Sequence, residues 1–172
     1  MNMAFEAEND RIPFKKQYVS LSILLINIVV FIIQFFDPSG YMFVYEAAFI
    51  PSEFFQGKKI WTIFTSMFMH ADIFHILMNM WFFYVVADNC EHAMGHVLFL
   101  FTYLFSGIAA ALLHASISLL TPGAADIPTL GASGAIFGII ATYGILFPNT
   151  ELNVFLLFIF VRIKANYYVI VY

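Results

Sequence analysis

Three polar side chains stand out in long apolar surroundings: a serine set among glycines, Gly131-Ala132-Ser133-Gly134, and a histidine and an asparagine four residues apart, His75 and Asn79. A serine hydroxyl can attack a carbonyl carbon if a base takes its proton and if hydrogen-bond donors receive the charge that develops on the oxygen. His75 and Asn79 project from one face of a helix, and both can donate such bonds. A serine at the start of a helix also has backbone N–H groups beside it that lack intrahelical partners. The plainer alternative is a packing seam: Gly131, Gly134, Gly138 and Gly144 would let one helix approach another, with Ser133 merely bonding a carbonyl. By position the candidate bases are His70, His75 and His114, each of which could equally be a histidine bonded to backbone near an interface. Metal chemistry has less support. His70, Asp72 and His75 are near in sequence, but no HExxH occurs, and His70 and His75 would sit about 140° apart around a helix. Neither a metal nor another cofactor is expected.

The elements that must position these residues are membrane helices. Of the 172 residues, 62% are hydrophobic and 10% charged, and 22 are phenylalanine, whereas water-soluble domains sit nearer half apolar and a quarter charged. A lone Cys90 excludes a disulfide framework, and a net charge of -4 without a basic patch excludes nucleic acid as a partner. Residues 1–17 are polar and of mixed charge, as expected for a solvated tail. Tyr18–Phe36 is a charge-free run of the length that spans a bilayer, and Ile73–Ala87, Val97–Leu120 and Gly131–Phe147 are three more spans. After Pro148 the pattern is ambiguous. Leu152–Val161 is apolar, Arg162 and Lys164 interrupt it, and a break followed by a new span from near Ala165 is the cheaper arrangement. Ala87–His96 reads as a short turn. The connection 37–72 carries aromatic stretches punctuated by Pro38, Gly40, Pro51 and Gly57, which suggests short helices in the membrane interface.

With a cytoplasmic N-terminus, Arg11, Lys15, Lys16, Arg162 and Lys164 lie inside and only Lys58 and Lys59 outside, the sense of the positive-inside rule. The connection 37–72 is then extracytoplasmic. His75 and Asn79 enter their span from the outer side by roughly 3 and 9 Å, and Ser133 enters the fourth span from that side too. His92 and His96 fall at the opposite, cytoplasmic end. Three polar groups from two helices thus reach a similar depth, where polar groups are expensive and functional by default.

In this order the motifs resemble those of the rhomboid intramembrane serine proteases. Gly131-Ala132-Ser133-Gly134 is similar to the family's GxSG nucleophile motif, and His75-Ile76-Leu77-Met78-Asn79 to its HxxxN motif. Trp61–Asn79 resembles the run leading into the second core helix, Glu91 and Gly95 the polar turn after it, and Ser106–Leu112 the third core helix. The resemblance covers 18–172 and implies an all-α polytopic bundle of six core helices, of which about four and a half are present. It implies Ser133 as nucleophile, with His75, Asn79 and the Ser133 N–H as the oxyanion hole. The implied substrates are single-span membrane proteins cleaved near the outer edge of the bilayer, and 37–72 becomes the loop beside the entrance. The implied setting is a bacterial inner membrane.

The family's general base is a histidine on the sixth helix, and Tyr172 falls within or just before the fifth. The resemblance therefore places the base beyond Tyr172, so that residues 1–172 alone are expected to be nearly inactive. Two other functions compete: a non-catalytic rhomboid-like protein that binds membrane helices, and a channel or transporter subunit. The second predicts polar residues through the whole depth of the membrane, whereas these cluster in its outer half.

Overall fold

In a computed structural model, the described residues are 12–39, 42–156, 159–165 and 167. They form a helical bundle. The helices are α1 (Tyr18–Phe35), the short α2 (Met42–Ala47), α3 (Pro51–Phe55) and α4 (Thr62–Thr65), then α5 (Ile73–Met94), α6 (His96–Ser118) and α7 (Ser133–Leu146). Three of them, α1, α5 and α6, are long and apolar enough to cross a membrane. Their outward faces remain apolar, with residues such as Leu25, Ile33, Leu98, Phe101 and Leu113 exposed, the inverse of a soluble surface and suited to lipid.

The span expected from Gly131 is shorter than the sequence suggests, because α7 begins at Ser133 and ends at Leu146. Gly131, with φ at 130°, adopts a conformation that a side chain resists, and the helix cannot extend back through it. Fourteen residues rise about 21 Å against about 30 Å of hydrocarbon, so an end of α7 lies within the thickness of the membrane. The core is built where α7 packs between α5 and α6. Ile136, Ile139 and Ile140 meet Phe83, Val86, Phe99 and Tyr103 there, all fully or almost fully buried. Small residues bring α6 and α7 together: a Cβ on Gly138 would overlap Ser106, and one on Gly134 would overlap Ala110.

The stretch Ala87–His96 is not the turn expected of it. The helix α5 continues to Met94 and only Gly95, with φ at 78°, separates it from α6. The reason is Glu91, which is fully buried yet satisfied: its carboxylate accepts from Val19 N–H at 2.9 Å and Ser20 N–H at 2.7 Å, and from His96 Nδ1 at 2.6 Å. It thereby caps the otherwise unpaired N-terminus of α1, and the polar residues of this stretch need not leave the helix.

The connection 37–72 folds into short helices as expected and is stitched to itself. Lys59 Nζ donates to Tyr45 O at 2.9 Å and pairs with Glu46, while Thr65 Oγ1 donates to Ala47 O at 2.7 Å. After Pro148 the chain forms a two-stranded antiparallel ribbon, β1 (Glu151–Leu156) with β2 (Ile159–Lys164). The interruption expected at Arg162 is absorbed within β2, whose valine, isoleucine and phenylalanine content favours a strand. Arg162 lies 3.6 Å from Glu151 across the ribbon, both exposed. The tail before Ile12, and the span expected from near Ala165 apart from Ala165 and Tyr167, lie outside the described residues.

Candidate active site

Ser133 is the first residue of α7, and its side chain is exposed. Two contacts from the 37–72 connection hold the segment that leads to it. Phe49 and Thr129 form an antiparallel bridge with reciprocal bonds of 2.9 and 2.7 Å, and Gly131 N–H donates to Ser66 O at 2.9 Å. The serine is therefore presented on a fixed backbone, with the first-turn N–H groups of α7 beside it.

His75 lies in the first turn of α5. Asp72 caps that helix by accepting from His75 N–H at 2.8 Å. Ala71 N–H donates to His75 Nδ1 at 3.4 Å, which assigns the neutral ring its proton on Nε2. That Nε2 faces the serine segment. A Cβ on Gly131 would sit 3.1 Å from His75 Nε2, 3.0 Å from its Cε1 and 3.8 Å from Ser133 Oγ. The imidazole thus packs against the side of Gly131 where a side chain would stand, and Ser133 Oγ lies near the same side. Asn79, one helical turn further along α5, is buried and donates from Nδ2 to His75 O at 3.0 Å. It lies on the same helix face as His75, as the i, i+4 spacing requires.

The other candidate histidines are differently placed. His114 Nε2 is engaged with Thr129 Oγ1 at 3.0 Å and with Ser118 Oγ at 3.2 Å, near the C-terminal end of α6. His70 is fully buried, its ring set edge-on to that of His75 with centroids 5.1 Å apart. Burial, with His75 adding a smaller repulsion, pushes His70 down to about 4, so it is neutral at physiological pH. His96 pairs with Glu91, far from the serine segment. No histidine among the described residues bonds Ser133 Oγ. Among the described residues there is likewise no group of three histidine, cysteine or carboxylate side chains able to hold a metal ion.

Sequence reasoning missed two contributors. Gly131 appeared as part of a motif and of a packing seam, whereas its positive φ and missing side chain let the His75 ring pack against it beside Ser133. Gln34 on α1 gave no signal at all, yet it clasps the His70 backbone through two hydrogen bonds.

The fold and the site define a polytopic α-helical membrane protein with an accessible serine at a helix N-terminus beside a histidine and an asparagine. The Rhomboid domain family model matches residues 57–172. The chain belongs to the rhomboid family. Among its relatives, Rhomboid-like protease 3 of Toxoplasma gondii is 36% identical over 94 residues, 55% of this chain and 33% of that protein. Rhomboid protein 1, mitochondrial, of Saccharomyces cerevisiae is 30% identical over 123 residues, 72% of this chain and 34% of that protein. The putative rhomboid protease YdcA of Bacillus subtilis is 33% identical over 91 residues, 52% of this chain and 43% of that protein. The chain thus matches about a third of the length of the first two. With a mitochondrial relative beside a bacterial one, the expectation of a bacterial inner membrane has no support, and the coarser assignment to a multi-pass membrane protein stands.

Proposed function

We propose that this protein is an intramembrane serine endopeptidase that cleaves membrane-spanning segments of other proteins. The observation that carries the reading is that His75 Nε2 and Ser133 Oγ approach the same side of Gly131. A substrate carbonyl brought up to Ser133 on that side meets a nucleophile, with a donor from α5 nearby. Ser133 Oγ attacks the carbonyl carbon, and its proton passes to a general base. The carbonyl oxygen takes up the electron pair, and the resulting oxyanion receives hydrogen bonds from His75 Nε2–H, Asn79 and the Ser133 N–H. Collapse expels the amine of the new N-terminus, and water then hydrolyses the acyl enzyme. In this reading the base is the histidine that the rhomboid resemblance implies; His70 is buried, and His114 is engaged with Thr129 and Ser118.

In this reading the substrates are single-span membrane proteins, and the N-terminus faces the cytoplasm, with 37–72 at the entrance on the opposite side. The test is cleavage of a single-span substrate by the full-length protein in liposomes. Wild type should cleave and Ser133→Ala should lose activity by at least about 10³-fold. Equal activity in the two would refute the reading.

A further inference from the structure

We infer that Gln34, on the last turn of α1, is a positioning residue that holds His75 with its Nε2–H directed at the serine segment. The inference rests on the proposed protease reading for its catalytic consequence, though not for its structural one. The clasp is two-sided: Gln34 Nε2 donates to His70 O at 2.6 Å, and His70 N–H donates to Gln34 Oε1 at 3.3 Å. A side-chain amide here pairs with backbone as a neighbouring strand would, across 36 positions of sequence.

What it fixes is the short segment that runs from the Ser66–Phe68 turn into α5. The next residue, Ala71, supplies the N–H that reaches His75 Nδ1, and the one after it, Asp72, supplies the cap on His75 N–H. At 3.4 Å the Ala71 bond is long, so a small shift of the segment decides whether it forms. When it forms, Nδ1 is an acceptor and the proton resides on Nε2. When it is lost, the alternative tautomer becomes available, and that tautomer presents a lone pair instead of a donor to an oxyanion. The buried His70 ring cannot substitute, since it lies edge-on to His75 at 5.1 Å between centroids. Gln34 itself is only half-buried and touches neither Ser133 nor Asn79 through any hydrogen bond described above, so its influence runs through the His70–Ala71 backbone.

The inference is tested by imidazole ¹⁵N NMR on the full-length protein in micelles, with kinetics alongside. Wild type should show His75 as a single Nε2–H tautomer. Gln34→Leu, which removes both bonds, should show both tautomers, with kcat down about tenfold and KM within about twofold, because an oxyanion donor acts in the transition state. Gln34→Glu keeps the acceptor for His70 N–H and loses the donor to His70 O. It should fall between the two, and it serves as the second variant if Gln34→Leu does not fold. A single Nε2–H tautomer in both variants, with kcat unchanged within twofold, would overturn the inference. If wild type and Ser133→Ala prove equally active or equally inert, the protease reading fails, while the tautomer populations still decide what Gln34 does.

Discussion

Gly131 sets the distance between Ser133 and His75. A methyl group there would stand 3.0 Å from the His75 ring and would have to adopt a φ of 130°. Gly131→Ala should therefore lower activity about 100-fold, the scale of an ångström's misplacement, with a smaller loss of thermal stability; single-turnover rates and melting curves measure both. His70 makes a prediction about stability. Its pKa falls from the ordinary 6.5 to about 4 on folding. Between those values the unfolded chain binds a proton that the folded one refuses. Stability is then complete above the ordinary histidine range and declines as pH drops from 6.5 toward 4, by at most about 3 kcal/mol. Reversible unfolding in micelles should show that slope in wild type and lack it in His70→Leu. At this scale Ser133, His75 and Asn79 could be singled out in the sequence as candidates because polar groups in apolar runs announce themselves. Gly131 and Gln34 were not, because a glycine's φ and a glutamine's distant partner leave no local pattern.

The helices were legible by their apolar runs, and their ends were less so. Tyr18–Phe36 matched α1 within a residue, whereas α5 ran on past Ala87 to Met94. Hydropathy cannot anticipate that Glu91 would be neutralised in effect by the α1 N-terminus, which lies 72 positions away along the chain. Nor does it anticipate a ribbon in place of an interrupted helix at 151–164, since a short apolar run fits either. The glycines of α7, by contrast, suggested a packing seam as the alternative to a nucleophile motif, and Gly134 and Gly138 do pack closely against α6 while Ser133 stays exposed. They differ in tolerance. A Cβ on Gly138 would strike the Ser106 side chain at its root, while one on Gly107 would mainly meet the terminal methyl of Met67, a flexible end. Gly138→Ala should cost about 1–3 kcal/mol and Gly107→Ala distinctly less. Comparing their unfolding midpoints in one detergent checks the order.

At the scale of the whole molecule, composition determined the solvent and the solvent determined the plan. Apolar helix faces turn outward to lipid, and polar groups inside the bundle include paired ones, Glu91 with the start of α1 and Asn79 with the backbone of its own helix, while neither ring nitrogen of the buried His70 has a hydrogen-bond partner among the described residues. At 14 residues α7 is too short to span the hydrocarbon by itself, so one of its ends lies within the membrane thickness. Phe49, Ser66, Thr129 and Gly131 join the 37–72 connection to the serine segment, so the two are held as one unit. The central claim, that Ser133 is a nucleophile facing donors from α5, is tested most directly by mass-spectrometric mapping of a fluorophosphonate adduct on the full-length protein. The account predicts labelling confined to Ser133, abolished in Ser133→Ala and slowed at least about tenfold in both His75→Ala and Asn79→Ala. Labelling at another serine, or undiminished labelling in Ser133→Ala, would contradict it.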